Sequence, residues 1–444
     1  MKRTFLTFYL ILFSILGISA QTLTLEQART LALANSRSLA KHEMSIRSSV
    51  LDERNQLYAL LPSVSAGYNA SMDYLRDWNF VNPIDTFKTG VNFSVTQIIF
   101  QGGKGFLSKA ISAIATESAR VSARAEYFNA LDSVDNAYYA VLEAAATLEA
   151  EEASLEAVDL SLQIAEVRLS TGVINQGDYL KAMADKEARE NSRNQARRNL
   201  ALNTTKLKSL LGVNNNFDLA PLDFSEYEEI LQRLSAISDE GAETLYDNFW
   251  IILASANPSL ANAALNKERA KKNFSLAWTD FAPKISATVF SSSFEYSRAS
   301  GGSSKGTGGV SITGSIPVDF WVISNRIEKS KIARETAALD YISQEISLET
   351  ELEAALLNTL AQAGSVLSSR RSLEYTERHF NYVMERYRLS LSSISDLSEA
   401  NSLLISSRNS HTKSSYSFLQ SLSKLRSLCA LDDEKRLLGI LMGK

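Results

Sequence analysis

Residues 61–74, LPSVSAGYNASMDY, place an apolar or aromatic residue at every second position. Val64, Ala66, Tyr68, Ala70, Met72 and Tyr74 fall on one side, and Ser63, Ser65, Gly67, Asn69, Ser71 and Asp73 on the other. A period of two is that of a β-strand with one greasy and one wet face. Three more segments repeat the pattern. Residues 89–99 set Val91, Phe93 and Val95 against Gly90, Asn92, Ser94 and Thr96. Residues 307–318 set Val310, Ile312, Ile316 and Val318 against Ser311, Thr313 and Ser315. Residues 284–296 run Ile285, Ala287, Val289 and then change phase to Phe290, Phe294 and Tyr296, which a β-bulge near Val289–Phe290 accounts for. The connections within the two pairs, LRDWNFVNPID (75–85) and SRASGGSSKG (297–306), are polar.

Away from these strands the chain reads as helix. All six prolines avoid residues 84–220 and 318–444, and no glycine stands between Gly105 and Gly172. Proline and glycine are the main helix punctuators, so these intervals predict long helices. Leu131, Val134, Tyr138, Val141, Ala145 and Leu148, continued at Leu155 and Leu162, step by threes and fours as a coiled-coil seam does. A helix over 106–170 would run ~95 Å. Leu352, Leu356, Leu360, Ala363 and Leu367 form a comparable stripe. For most of these side chains ordinary core packing is a sufficient role.

The two halves repeat each other. ANSRSLA (34–40) matches ANPSLA (256–261), LPSVSA (61–66) matches APKISA (282–287), and GVNFSV (90–95) matches GVSITG (309–314). RLSTGVINQGDYLKA (168–182) matches RYRLSLSSISDLSEA (386–400). Tandem duplication gives such a constant offset. The expected organisation is an export signal over 1–20, a first repeat over 21–212, a connection over 213–250 and a second repeat over 251–444. Each repeat reads as short helix, strand, strand, long helix, tight turn, medium helix.

Lys2 and Arg3, the apolar run Phe5 to Leu16 and the small-residue GISA before Gln21 have the layout of a cleaved secretory signal. No later run is long and apolar enough for a membrane helix. No cysteine follows the cleavage position, so no lipid anchor is expected there. A net charge of −4 argues against a nucleic-acid partner. Three scattered histidines (His42, His379, His411) and the single Cys429 supply neither a metal cluster nor a disulfide frame, so no cofactor is expected. Cys429 lies in a helical pattern, as a buried small hydrophobe does.

Two environments fit the strands. They could be hairpins of a soluble sandwich with the apolar face inside. Four strands of ~11 residues also match tilted bilayer crossings, and small uncharged polar faces suit a water-filled lumen. Tyr74, Trp78, Phe80 and Phe87 cluster at one end, and Phe100, Phe320 and Trp321 at the other, as an interfacial girdle would. In lipid the strands must close into a barrel. Four cannot close alone, and three copies giving about twelve would leave a passage that two copies would not.

At this point the sequence resembles the TolC-type outer-membrane efflux proteins, over nearly all of the chain beyond the signal. The likeness is carried by the duplication, by LTLEQARTLALANSRSL (23–39), by LLPSVS and FAPKIS opening a strand in each half, by VTQIIFQGGK (95–104), and by the paired RLSTGVINQGDYLKA and RYRLSLSSISDLSEA. Singly each motif is weak; in this order, duplicated, they are specific.

The resemblance implies a mainly α fold with a β-barrel segment. The assembly would be a homotrimer with four barrel strands per subunit, continued by long coiled-coil periplasmic helices. It implies a bacterial outer-membrane location, lipid around the barrel, and two protein partners: a periplasmic adaptor and an inner-membrane efflux or secretion transporter. No catalysis is implied.

Within that pattern Asp396 and Glu399 match the acidic constriction rings of the periplasmic gate, and a spacing of three places both on one helix face. Asp178 and Tyr387 match partners of a gate-closing hydrogen bond. Ser392 stands where some members carry a gate arginine, and Ser390 stands where Gly172 keeps the tip-turn glycine in the first half. Asp178 and Asp396 equally suit helix N-capping. Arg168 and Arg386 suit the negative end of the preceding helix, or adaptor contact.

Two other functions remain to be separated from a duct. An enzyme would need a nucleophile–base pair, ligand spacing or a phosphate loop, and Gly102–Gly103 lacks the Lys-Ser/Thr of the last. An exported structural coiled coil, or an adhesin-like envelope protein, explains helices and export but not the alternating strands.

Overall fold

The computed structural model describes residues 22–73, 86–215, 217–297, 302–304 and 306–443. The signal read over 1–20, residues Tyr74, Trp78 and Phe80, the side chain of Phe87, the connection 75–85 and residues 298–301 and 305 of the other connection lie outside the described part.

The first half runs β1 (Thr22–Leu23), α1 (Leu25–Asn35), α2 (Arg37–Tyr58), β2 (Ser63–Asp73), β3 (Thr86–Phe100), α3 (Lys104–Ser170) and α4 (Gln176–Leu211). Next come β4 (Asp218–Leu219), a 3-10 turn over Phe224–Tyr227, and α5 (Glu228–Ser235). The second half runs α6 (Asp239–Ala256), α7 (Pro258–Trp278), β5 (Lys284–Ser297), β6 (Gly302–Ser304), β7 (Thr307–Ser315), α8 (Phe320–Arg388), α9 (Ile394–Leu428) and α10 (Glu434–Leu441).

The long helices α3 and α8 have 67 and 69 residues, each ~100 Å at the standard rise. The shorter helices α2 and α4 both pack along α3, and α7 and α9 both pack along α8. The seam residues Leu131, Val134, Tyr138, Val141 and Leu155 are buried, as are Leu352, Leu356 and Ala363 of α8. Among the described residues no helix is long and apolar enough to cross a membrane.

The duplication is visible in how helices are broken and joined. Ser36 caps α2 and Asn257 caps α7, where the matched ANS and ANP motifs interrupt the short-helix segments. Asn35 Nδ2 donates to Leu211 O at 2.7 Å, and its counterpart Asn257 Nδ2 donates to Leu428 O at 2.8 Å. In each half an asparagine therefore takes an orphan carbonyl at the end of the medium helix.

Around the middle of the helical body the connection packs on α8, burying Tyr227, Ile230, Leu231 and Leu234 with Leu437 and Leu441 of α10. Short parallel pairing of β1 with β4 ties the N-terminal segment to that connection. The Tyr138 hydroxyl donates to Leu23 O at 3.0 Å and Ala220 O at 2.8 Å, on either side of the pairing, and burial pushes this phenol up to about 12.

Beside it Asp135, fully buried, accepts from Arg29 at 2.6 Å and 2.9 Å and from Arg426 at 2.6 Å. Glu434 pairs with Arg29 at 3.2 Å and accepts from the Tyr227 hydroxyl at 2.8 Å. A buried carboxylate needs such partners because desolvation penalises its charge. Cys429 is buried, with its thiol pushed up to about 12 by that burial.

Candidate functional site

Two parts of the molecule carry the chemistry: the sheet, and the far ends of the long helix hairpins. Strands β2, β3, β5 and β7 pair antiparallel in that order, and β6 continues the line of β7 beside the far end of β5. Residues paired directly across strands share a face, so the register sorts the side chains. Val64, Val95, Val289 and Val310 form one row across all four strands. The next position along gives Ser63, Thr96, Thr288 and Ser311 on the opposite face. There the Thr96 and Thr288 hydroxyls meet at 3.1 Å and those of Ser65 and Ser94 at 2.7 Å.

Among the described residues nothing covers the greasy face. Val64 is 75% exposed and Ile312 73%. Tyr68, Phe93 and Val310 are exposed as well, and Val91 is half-buried. Both outer edges of the sheet, β2 and the β6–β7 line, have no strand partner among the described residues.

The bulge expected near Val289–Phe290 is elsewhere. Pairing is unbroken there on both sides of β5, and the slip falls where β5 passes from Ser293 to Tyr296 opposite Thr89–Val91. Phe290 is thus a residue of the polar face, aligned with Ser94 and Gly309, and not the start of a new phase. A second slip lies at Ile98–Phe100 of β3, where the strand turns toward α3.

Where strands meet helices, Asp280 accepts from Lys104 at 3.0 Å and also pairs with Arg326, linking the starts of α3 and α8. Phe274, Trp278, Phe281 and Phe320 follow ring on ring at centroid separations of 6.0–6.3 Å. Trp321 and Phe100 are exposed beside them. Trp278 and Phe281, which helical spacing alone did not single out, stand in line with Phe320 of the expected girdle.

At the other end, the turns after α3 and α8 share one hydrogen-bond pattern. Val173 N donates to Arg168 O at 2.8 Å and Gly172 N to Leu169 O at 3.0 Å. Leu391 N donates to Arg386 O at 2.8 Å and Ser390 N to Tyr387 O at 3.0 Å. These are Schellman bonds, which require a left-handed residue after the helix. Gly172 supplies it at φ +73° and Ser390 at φ +61°.

The caps of α4 and α9 are Asn175 and Ser393, three residues before the expected Asp178 and Asp396. Asp396 is the other half of a capping box. Its carboxylate accepts from Ser393 N at 2.9 Å, and its own N–H donates to Ser393 Oγ at 3.1 Å. The backbone N–H of Ser393 holds the Asp396 carboxyl below the usual range. Asp178 has its N–H on Asn175 Oδ1 at 2.9 Å. Ile394, Leu397 and Ala400 bury one face of α9, leaving Asp396 and Glu399 exposed on another.

Tyr387 is fully buried, and its hydroxyl donates to Ser161 O at 3.3 Å. Burial raises its pKa; Arg168 pulls it down and Asp178 pushes it up, so both charges act on the ring. Within one chain the Tyr387 hydroxyl bond thus runs to α3, and Asp178 acts on it through its field.

Arg168, expected to serve its own helix end, instead reaches across. Its guanidinium lies 4.4 Å from the Tyr387 ring centroid and donates to Tyr387 O, joining α3 to the end of α8. Arg386 stays with its own turn, donating to Leu391 O at 3.0 Å and Tyr382 Oη at 3.2 Å. Ser392 is half-buried beside that turn. The two arginines occupy matched positions in the repeats, so position alone could not separate them. Among the described residues no three His, Cys, Asp or Glu side chains are placed to hold a metal ion.

The profile of a family described as Outer membrane efflux protein matches residues 28–213 and 252–430. No curated protein matches the sequence. Among solved structures, the CmeC outer membrane channel of Campylobacter jejuni is 16% identical. The match covers 93% of this chain and 88% of that one, with a TM-score of 0.74. CusC is 17% identical over 94% and 95% of the two chains, with a TM-score of 0.77. The open-state MtrE outer membrane channel of Neisseria gonorrhoeae is 15% identical over 94% and 93%, with a TM-score of 0.72. These likenesses are likenesses of fold.

Proposed function

Because the chain belongs to the outer membrane efflux protein family, we propose that three copies form one outer-membrane channel. It is the passive exit duct of a tripartite efflux or type I secretion system. The observation that carries this reading is the sheet of four strand lines whose two edges and apolar face are left open among the described residues. In water that face is unfavourable, and in lipid the open edges are. Closure by further copies relieves both. Strand β7 runs antiparallel to β2, so the free edges of neighbouring copies meet without breaking the alternation. Three copies give twelve strands, with hydroxyls facing a water-filled lumen and valines facing lipid. The exposed Met44 and Leu51 of α2, and Leu339 and Ile346 of α8, support the same lateral neighbours along the helices.

Residues 1–20 would be the export signal, and the two repeats flank the connection over 213–250. The helical body would project into the periplasm and meet an adaptor protein and an inner-membrane transporter at its tips. There Asp396 and Glu399, repeated by three-fold symmetry, form acidic rings that attract cations and bind divalent ions as blockers. Arg168, Tyr387 and Asp178 hold the closed arrangement, and Gly172, Ser390 and Ser392 shape the turns.

The test is extraction from outer membranes in detergent, a heat-labile trimer on gels, and single-channel conductance in planar bilayers. A water-soluble monomer without conductance rejects the duct. In conducting trimers, Asp396→Ala with Glu399→Ala is expected to raise conductance and weaken divalent block; unchanged block removes these residues from the gate.

A further inference from the structure

One residue of the wet face is not accounted for by water. Phe290 stands in the row Ser65, Ser94, Phe290, Gly309, next to the row Ser63, Thr96, Thr288, Ser311. The Ser65–Ser94 and Thr96–Thr288 hydroxyl contacts of 2.7 Å and 3.1 Å fix that face as the polar one. Phe290 is 40% exposed on it, and among the described side chains of this face it is the one aromatic. The ring rests on Gly309, where an added Cβ would come within 3.1 Å of Phe290 Cζ. Glycine at that position lets the ring lie against the wall, one side on backbone and the other bare.

A phenyl ring on the opposite face would meet lipid and gain from it, whereas here its bare side meets water and gains nothing. Its π-face attracts cations, and the two rows around it carry no formal charge to compete. We propose that Phe290 is a solute contact in the barrel, at which three symmetry-related rings transiently hold organic cations bearing aromatic groups on their way out. This rests on the trimeric-channel reading above. It adds an aromatic contact level, far from the acidic tips, to a face whose other described side chains are mainly serine, threonine and asparagine, with Ile98.

The experiment uses the full-length trimer in planar bilayers with KCl, and tetraphenylphosphonium as the probe. Wild-type channels are expected to show brief partial blocks. Phe290→Ala should shorten them about fivefold, the order of one lost aromatic–cation contact, and raise KCl conductance. Phe290→Leu keeps apolar bulk over Gly309 and should shorten the blocks too, while Phe290→Tyr should retain them. Gly309→Ala crowds the ring off the wall and should lengthen them.

Equal block times in wild type, Phe290→Ala and Phe290→Leu overturn the inference while leaving the channel standing. So does a drop in trimer melting temperature with block times unchanged, which would make Phe290 only a cover for Gly309. No conductance from wild type overturns both readings together.

Discussion

The turn at Gly172 and the turn at Ser390 are built from the same hydrogen bonds, yet only the first uses glycine. The same holds where the medium helices end. Gly212 adopts φ +67° after α4, and Ala430 adopts φ +49° after α9, with Val213 N on Lys208 O and Leu431 N on Arg426 O. The first half meets both left-handed positions with glycine, the second with side chains. Packing sustains this at Ala430, which is itself buried. Ser390 instead stands between the exposed Leu389 and Leu391 and leans on the buried start of α9 that follows. Helix α4 buries only Ala182, Ala196, Leu207 and Leu211, while α9 buries residues along its length from Ile394 to Leu428. A strained backbone persists where its surroundings over-determine it. Loosely held turns have no such support, and glycine removes the need.

The contrast extends to the tip arginines, where the largest effect is expected. Arg168→Ala removes a buried guanidinium from the Tyr387 ring and carbonyl, at a loss of about 2 kcal/mol in local stability. Arg386→Ala removes exposed contacts and should lose less than about 1 kcal/mol. Hydrogen exchange of the tip amides measures both, and equal losses would break the distinction between clamp and local cap.

Next in size are the left-handed positions. Gly212→Ala adds strain of roughly 1–2 kcal/mol. It also places a Cβ 2.9 Å from that of Asn35, so it should be the worst of the set. Gly172→Ala meets open space and should lose about 1 kcal/mol from strain alone. Ser390→Gly and Ala430→Gly should each gain about 0.5 kcal/mol, the relieved strain exceeding the added unfolded-state entropy. Thermal unfolding of the four variants ranks them. A loss on Ser390→Gly would mean that the hydroxyl does more than occupy the turn.

The smallest effect is on pH. Asp396 has its pKa lowered by Ser393, so the box stabilises α9 above the ordinary carboxylate range and is lost as pH falls through the lowered value. The cap of α4 is Asn175, an amide that does not titrate. Exchange at residues 394–397 should therefore accelerate on acidification, corrected for the intrinsic rate, more than at the first turns of α4. Parallel behaviour of the two tips would remove the box from the account.

Much of the architecture was legible because it repeats and alternates. Strand faces follow from period two, long helices from missing prolines, and paired breaks from the ANS and ANP motifs. The bulge was misplaced at Val289–Phe290 because one aromatic on a polar face looks the same, in a single strand, as a change of phase. Only pairing with β3 and β7 separates them. Caps were read three residues late since aspartate suits both the cap and the third helical position, and the preceding Asn175 and Ser393 were passed over. The buried Arg29–Asp135–Arg426–Glu434 group was not foreseen. Its members are far apart in sequence, and nothing local marks a charge as internal.

That group also sets a condition on folding. Asp135 and Arg29 belong to the first half, whereas Arg426 lies 291 residues beyond Asp135, in the second. With Arg29 alone beside it the carboxylate has one of its two cations, so its full desolvation waits for α9 to bring Arg426 into place. The middle of the molecule is thereby tied to both halves at once, and either half folding alone leaves a buried charge short of a partner.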